Sequence, residues 1–443
     1  MNIQLSEHFT YEKLLRFVFP SIIMMIFTSV YSVVDGLFVS NYVGKIPFAA
    51  VNLIMPPLMI LGALGFMIGT GGSAIVAKTL GEGKSEEAKR YFSMLVYVTV
   101  IGGIVLTVMG LLCIRSVSIA LGAEGEMIEY CVLYGRILLI SLTAFMLQNV
   151  FQSFFVTAEK PQLGLAVTVA AGISNIILDF VFIAVFKWGL AGAAIATSIS
   201  QMIGGIFPFL YFLRKNETAL QLVKTGLDKS ILFKTCTNGS SELASNISMS
   251  LVNMLYNYQL IKAAGEDGVA AYGVIMYVNF IFIAIFLGYS IGSAPIVSYH
   301  YGAGNHSELK NLFQKSLIFI GGSSLVMTVF AILSSGLLSG IFVGYDRELY
   351  TMTRHGFCLF SLSFLVSGWN IFASAFFTSL NNGMVSALIS FLRAFVFQII
   401  MVLLLPAIWG INGIWLAALA AEMLALVVTV YFLVIKRKTY HYI

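Results

Sequence analysis

The chain has 443 residues, 59% hydrophobic and only 10% charged, with a mean hydropathy of +0.93. Soluble domains carry about 25% charged residues, so the composition excludes that class and points to a polytopic membrane protein. The net charge of +5 does not mark a nucleic-acid binder, because the basic residues sit in short segments between apolar spans.

The N-terminus is polar for about a dozen residues and lacks a small-residue cleavage pattern after a short apolar core, so no cleaved signal peptide is expected. The first span, Phe17 to Val43, has a single ionisable side chain, Asp35. Apolar spans then follow at residues 13–41, 47–77, 91–114, 130–157, 163–186 and 190–213. Six more lie at 231–262, 269–298, 311–342, 352–379, 384–408 and 413–435. The expectation is an all-α protein of twelve transmembrane helices. With the N-terminus inside, 18 of the 25 Lys and Arg residues fall in inner segments and 7 in outer ones. That split puts both termini in the cytoplasm. The four cysteines (Cys113, Cys131, Cys236, Cys358) form no CxxC pair and read as packing residues.

The chain repeats itself. Gly81–Lys89 (GEGKSEEAK) matches Gly302–Lys310 (GAGNHSELK), an offset of 221 that also aligns Ala49-Ala50 with Ala270-Ala271, Asn149 with Asn370, and Gly189 with Gly410. Two homologous six-helix lobes follow, 1–213 and 231–443, joined by a cytoplasmic linker at 214–230. Six is even, so both lobes have the same topology and are related by a pseudo-twofold along the membrane normal. The repeat separates structural from functional demand. Asp35 maps to Tyr256, Asn175 to Val396, Asp179 to Ile400 and Thr197 to Ala418. The first lobe therefore carries polar groups that the second lacks.

Counting from the span ends places Asp35, Asn175, Asp179 and Thr197 in the outer half of the first lobe, about 9–15 Å deep. Asn175 and Asp179 are i and i+4 on one helix face. An intramembrane acid is expensive and marks a functional site by default. Two carboxylates at one level either share a proton or hold a hard cation among carboxylate, amide and hydroxyl oxygens.

Other candidates are weaker. Glu242 is expected near the start of its helix, meeting the positive dipole end. Arg393 and Glu422 are both about ten residues into their helices and could pair. Tyr256, Met276 and Arg393 are the candidates for a substrate cavity, since Met and aromatic surfaces adapt to varied ligands. No HExxH, nucleophile elbow or GxxxxGK[ST] occurs, so neither an enzyme nor an ATP-driven pump is expected.

The chain resembles the multidrug and toxic compound extrusion (MATE) family over essentially its full length. The resemblance rests on Pro20, Asp35, Gly44, Ala49-Ala50 and Pro56, on Gly81-x-Gly83 with Glu87-Ala88, on Asn175-x-x-x-Asp179, and on Gly189-x-x-Gly192-Ala193-Ala194-x-Ala196-Thr197. The Asn-x-x-x-Asp pair resembles the DinF-like branch. The resemblance implies a drug/proton or drug/sodium antiporter with its H⁺ or Na⁺ site at Asp35, Asn175, Asp179 and Thr197, supported by Tyr134 and Gln152. Where another branch has a helix-7 glutamate this chain has Ser248, with Glu242 nearby. The expectation is a monomeric exporter of lipophilic, cationic compounds in the inner membrane, working by alternating access without a cofactor. A lipid-linked saccharide flippase of the same broader superfamily is the runner-up. Such flippases carry more cationic residues in the central cavity, and here Arg393 is almost the only deep base.

Overall fold

One stretch, Lys229–Gly302, shows how the bundle is built. An unbroken helix of its 74 residues would run to ~110 Å, several times the ~30 Å apolar core of a bilayer. Gly265 breaks it with φ 65° and ψ −148°, a region open essentially to glycine alone. The chain reverses there. The rings of Tyr256 and Tyr272 stack with centroids 4.9 Å apart, and the Tyr272 hydroxyl donates to Asn253 Oδ1 at 2.9 Å. In a continuous helix those two rings would lie ~24 Å apart. The stretch is a hairpin of two spans.

A computed structural model of the chain describes residues 3–443, apart from the side chains at 37, 40, 41 and 45. The side chain of Lys45, one of the seven outer basic residues, therefore lies outside the description. The helices of the first half are α1 (Tyr11–Tyr42), α2 (Lys45–Gly81), α3 (Ser85–Ala120), α4 (Glu126–Thr157), α5 (Pro161–Asp179) and α6 (Gly189–Leu213). Residues 214–228 form no helix and lead to α7 (Lys229–Gly302). Then come α8 (His306–Val343), α9 (Arg347–Ser361), α10 (Phe364–Ser379), α11 (Gly383–Phe391), α12 (Phe397–Trp409) and α13 (Ile411–Tyr440). With α11 and α12 taken as one span (Gly383–Trp409), ten spans are long and apolar enough to cross a membrane, and α9 with α10, bent by 47°, forms an eleventh. Division of α7 at Gly265 gives the expected twelve among the described residues.

Hydropathy alone makes most of these helices, and polar caps fix several starts. Thr10, Asp228, Asn305, Asp346 and Asn382 each accept a backbone N–H of the turn they open. The duplication is written into the backbone as well. Gly44 and Gly265 (φ 102° and 65°), Gly83 and Gly304 (78° and 66°), and Gly189 and Gly410 (57° and 57°) all take positive φ. Each pair is 221 residues apart, so the same turns recur in both halves.

The halves differ at their π-helical segments. One runs Phe180–Val185, just after Asp179, and the other runs Leu392–Val396 and contains Arg393. A π turn holds an extra residue, so between these two insertions the gapless register is off by one. Asp179 is wholly buried, whereas Ile400 is 44% exposed. The expected pairings of Asp179 with Ile400 and Asn175 with Val396 are thus corrected to Met401 and Phe397. The polarity contrast survives, because both of these are apolar.

At the face that carries the termini the two lobes meet backbone to backbone. A Cβ on Gly81 would lie 2.9 Å from the Tyr299 carbonyl carbon, and one on Gly302 would lie 2.8 Å from that of Lys78. A strap reinforces this seam. The Leu5 N–H donates to Glu159 at 2.7 Å, and the Phe9 N–H donates to Glu308 at 2.9 Å. Glu308 also holds His8 Nδ1 at 2.6 Å.

Candidate functional site

Gly172 sets the site's height. A Cβ there would press on the rings of Phe27 and Tyr31, at 2.5 and 2.8 Å, so α5 approaches α1 closely at this level. Both helices run the same way. One turn beyond Tyr31 stands Asp35, and two turns beyond Gly172 stands Asp179. Helix α6 is fixed by Ser200, whose hydroxyl donates to the Ala171 carbonyl at 2.8 Å. It runs antiparallel to α5, so Thr197, one turn outward, faces the level of Asn175. Helix α4 is pinned to α6 by Ser198, which donates to the Ile137 carbonyl at 3.2 Å and receives the Ser141 hydroxyl at 3.1 Å. Tyr134 is one turn outward from Ile137 and fully buried.

The structure therefore brings Asp35, Tyr134, Asn175, Asp179 and Thr197 together from four helices. Asp35 is within interaction range of Asp179 and Thr197, and Tyr134 within range of both carboxylates. Their polar atoms share a second property. Asp35 Oδ1, both Asp179 carboxylate oxygens, Asn175 Nδ2 and Thr197 Oγ1 are buried with no hydrogen-bond partner among the described residues. Buried polar groups are nearly always paired, and an unmade bond costs about 1–3 kcal/mol. Gln152 is 18 residues from Tyr134, five full turns along α4, so it shares that face but sits ~27 Å deeper. Its Oε1 is likewise unpartnered.

These oxygens suit a proton or a hard monovalent cation. Among the described residues there is no group of three His, Cys, Asp or Glu that could hold a metal ion. A cation here would depend on two carboxylates helped by amide and hydroxyl oxygens.

The second lobe holds a different arrangement. A cavity of about 250 Å³ is lined by Glu242, Tyr256, Tyr272, Met276, Arg393 and Glu422, among others. The three residues named from the sequence as cavity candidates, Tyr256, Met276 and Arg393, all line it. Arg393 Nη1 meets Glu422 Oε1 at 3.1 Å, so the two deep charges do pair. Glu242 departs from expectation. It lies 13 residues into α7, which begins at Lys229, about 20 Å along the axis. A dipole effect fades within the first turn, so Glu242 does not serve the helix start and faces the cavity instead.

Sequence reasoning missed the groups that hold the pair. Glu422 Oε2 accepts from Asn370 Nδ2 at 2.7 Å, and Asn370 Oδ1 accepts from Thr429 at 2.8 Å. It also missed Gln398, which accepts the Tyr256 hydroxyl at 3.0 Å. In the sequence Asn370 is only the repeat counterpart of Asn149, and nothing in that match hints at its partners.

Similarity to known proteins agrees with this architecture. The chain is 23% identical to the multidrug export protein MepA of Staphylococcus saprophyticus, over 93% of this chain and 91% of the relative. It is 22% identical to that of Staphylococcus aureus, over 94% and 91%. Among solved structures, an outward-facing multidrug resistance MATE family transporter of the MOP superfamily superposes with a TM-score of 0.93 at 23% identity, covering 99% and 98% of the two chains. A MATE structure in complex with MaL6 superposes at 0.92, also at 23% identity, covering 98% and 97%. A family model described as MatE matches twice, at residues 20–181 and 243–404, once in each half of the sequence. The chain belongs to the MatE family, that of multidrug and toxic compound extrusion.

Proposed function

We propose that the chain is a secondary multidrug efflux antiporter of a cytoplasmic membrane, with both termini inside, exporting lipophilic compounds in exchange for H⁺ or Na⁺. The observation that carries this reading is the group of buried, unpartnered polar atoms on Asp35, Asn175, Asp179 and Thr197 in the first lobe. The second lobe has Tyr256, Phe397, Met401 and Ala418 at the corresponding places. Two neighbouring carboxylates can pair with each other only through a shared proton or a cation between them. A coupling site has to offer them to an ion that comes and goes. The names of the relatives favour export over the flippase alternative.

In this reading the outward-open lobe takes up the coupling ion between Asp35 and Asp179. Neutralising their charge removes both the repulsion between them and their attraction for a cationic substrate. Helix α1 responds because Asp35 is on it, and α1 is one continuous helix through Pro20 and Gly36 in this structure. One elementary charge crossing 100 mV supplies about 2.3 kcal/mol, roughly a 50-fold concentration ratio. The test is ethidium movement in proteoliposomes under an imposed pH or Na⁺ gradient. Asp35→Asn and Asp179→Asn should each abolish gradient-driven transport while the protein still expresses and purifies. Full transport by either variant refutes the assignment.

A further inference from the structure

We infer that the face carrying the termini has a binding site for the phosphoethanolamine headgroup of a membrane lipid, with the phosphate on Lys234 and Asn381 and the ammonium on Glu87 and Asn238. The inference needs only that the chain spans a bilayer, so it goes beyond the antiport reading and does not depend on it.

The duplication points to the place. In the second half, His300 and Glu308 form a cradle for the N-terminal strap. Phe9 fills it, fully buried, with its ring centroid 6.4 Å from that of His300 and its N–H on Glu308. At the 221-residue offset the matching cradle in the first half is Thr79 and Glu87, and the segment before α7 is the counterpart of the strap. That segment cannot fill it. The buried strap residues Leu5 and Phe9 correspond to Gly226 and Ser230, both exposed. With no ring to occupy the place, a cavity of about 390 Å³ remains, lined among others by Thr79, Glu87, Lys234, Asn238, Asn381 and Gly383.

Four groups on its wall are left over. Glu82 is held by Lys84 at 3.1 Å and Lys78 at 3.7 Å, and Lys78 also lies over the Tyr301 ring, 5.3 Å from its centroid. Lys234 has lost the partner that its counterpart keeps. Lys13 pairs with Glu7 at 2.7 Å, but Asp228, which corresponds to Glu7, caps α7 through the N–H groups of Ser230 and Ile231 instead. Glu87, unlike Glu308, has no strap N–H to accept. Asn238 is only 3% exposed. Its Nδ2 donates to the Thr378 carbonyl at 2.9 Å, which fixes the amide and leaves Oδ1 without a donor among the described residues. Asn381 Nδ2 is likewise buried without an acceptor.

The free groups are a cation, an anion, an acceptor and a donor. A phosphate alone would serve Lys234 and Asn381 and leave the other two as they were. An ethanolamine phosphate ester serves all four. Its phosphate oxygens accept from the lysine and the amide, and its ammonium, with three N–H donors, gives to the carboxylate and the amide oxygen. Two neighbours assign the ester to a lipid. The cavity lies where α2 ends and α7 and α11 begin, the level of the headgroups. Phe233, beside Lys234, is 70% exposed there, and Met384, beside Gly383, is 79% exposed. Apolar side chains at that depth meet acyl chains. Bound there, the lipid bonds α3 of the first half to α7 and the α10–α11 turn of the second.

The test is native mass spectrometry of the purified full chain, delipidated in detergent and titrated with phosphatidylethanolamine, phosphatidylcholine or phosphatidylglycerol. Phosphatidylcholine keeps both charges but has no ammonium N–H, and phosphatidylglycerol keeps the phosphate without the amine. One phosphatidylethanolamine should bind about tenfold or more tighter than either, the scale of one charge-assisted hydrogen bond. Glu87→Gln should erase that preference and leave phosphatidylglycerol affinity unchanged, whereas Lys234→Gln should weaken both lipids. Ser230→Phe supplies the ring that fills the other cradle and should exclude the lipid with every polar group retained. Lys310→Gln, outside the cavity, should change nothing. Free O-phosphoethanolamine at the lipid's own concentration should not displace it. Equal affinity for the three lipids, or tighter binding of phosphatidylglycerol, overturns the inference. So does a Glu87 variant that weakens phosphatidylglycerol as much as phosphatidylethanolamine, the mark of a structural role, and displacement by the free ester overturns the assignment to a lipid. Binding is read without transport, so loss of the antiport reading would leave this result standing.

Discussion

The seam at the terminal face makes a quantitative prediction. Gly81 and Gly302 are equivalent in the duplication, and each lets its helix touch the backbone of the other half. A Cβ on Gly302 would lie 2.8 Å from the Lys78 carbonyl carbon, and one on Gly81 would lie 2.9 Å from that of Tyr299. Ordinary contact begins at 3.4 Å, and the obstacle is backbone, which cannot swing aside as a side chain would. The helices must separate. Overpacking of this kind costs about 1–3 kcal/mol, which falls only on the state in which the seam is closed. An alternating-access protein can relieve the cost by opening that face, so its population should shift roughly 5- to 150-fold. Cys236 is a natural reporter, because it is half-buried in α7 and follows Thr235, whose methyl a Cβ on Gly72 would meet across the same seam. Alkylation of Cys236 by a charged maleimide, followed by peptide mass spectrometry, should accelerate by that factor in Gly81→Ala and in Gly302→Ala. An unchanged rate in both variants would refute the reasoning. A lower melting temperature with an unchanged rate would refute it too, because general loosening and opening are different events.

Three further outcomes are expected. Glu422→Leu strands Arg393 and should lower stability by about 3–5 kcal/mol, whereas Arg393→Leu/Glu422→Leu should recover most of that loss; thermal melts in detergent compare the two. Gly265→Ala forces a side chain into φ 65° and ψ −148°, and should cost about 1–3 kcal/mol in the same melt, with Gly322→Ala, where a Cβ meets nothing within 4 Å, as the neutral control. Glu308→Ala leaves the Phe9 N–H without its acceptor and the Asn311 amide with only the Phe9 carbonyl; a loss of about 1–3 kcal/mol should release the strap, read as faster tryptic cleavage at Lys13.

The spans were legible because hydropathy is a local signal and the duplication doubled it. Gly189 and Gly410 show how far that reading went, since the 221-residue offset pairs them and both take φ 57°, whereas the break at Gly265 is seen only in the structure. Asp35 and Asp179 stood out for a different reason, as acids that are costly to place in a span. Illegible features were those set by distant partners. Nothing near Glu422 in the sequence announces Asn370, 52 residues away, or Thr429 beyond it. Glu242 was misread because the start of α7 was judged sound but its consequence was not; 13 residues is already beyond the reach of the helix end. The π segments escaped entirely, and with them the one-residue slip that moves Asp179 from Ile400 to Met401.

That slip bears on why the lobes diverged at all. In the first half the π turn follows Asp179, so the α-helical run from Pro161 keeps Gly172, Asn175 and Asp179 in register against α1. In the second half the π turn comes earlier and contains Arg393 itself. The wider turn alters the direction of that side chain relative to an α-helix, and it also carries Ile400 outward to the surface. One insertion thus puts Met401 in place of Ile400 opposite Asp179, and the same turn carries the base that pairs with Glu422. The two changes need not have been selected separately. A carboxylate pair and a carboxylate–guanidinium pair have opposite energetics, the first unstable without a bound cation or proton and the second stable by itself. The π turns set the register of each helix, and the residue types at Asp179 and Arg393 decide which pair each lobe carries.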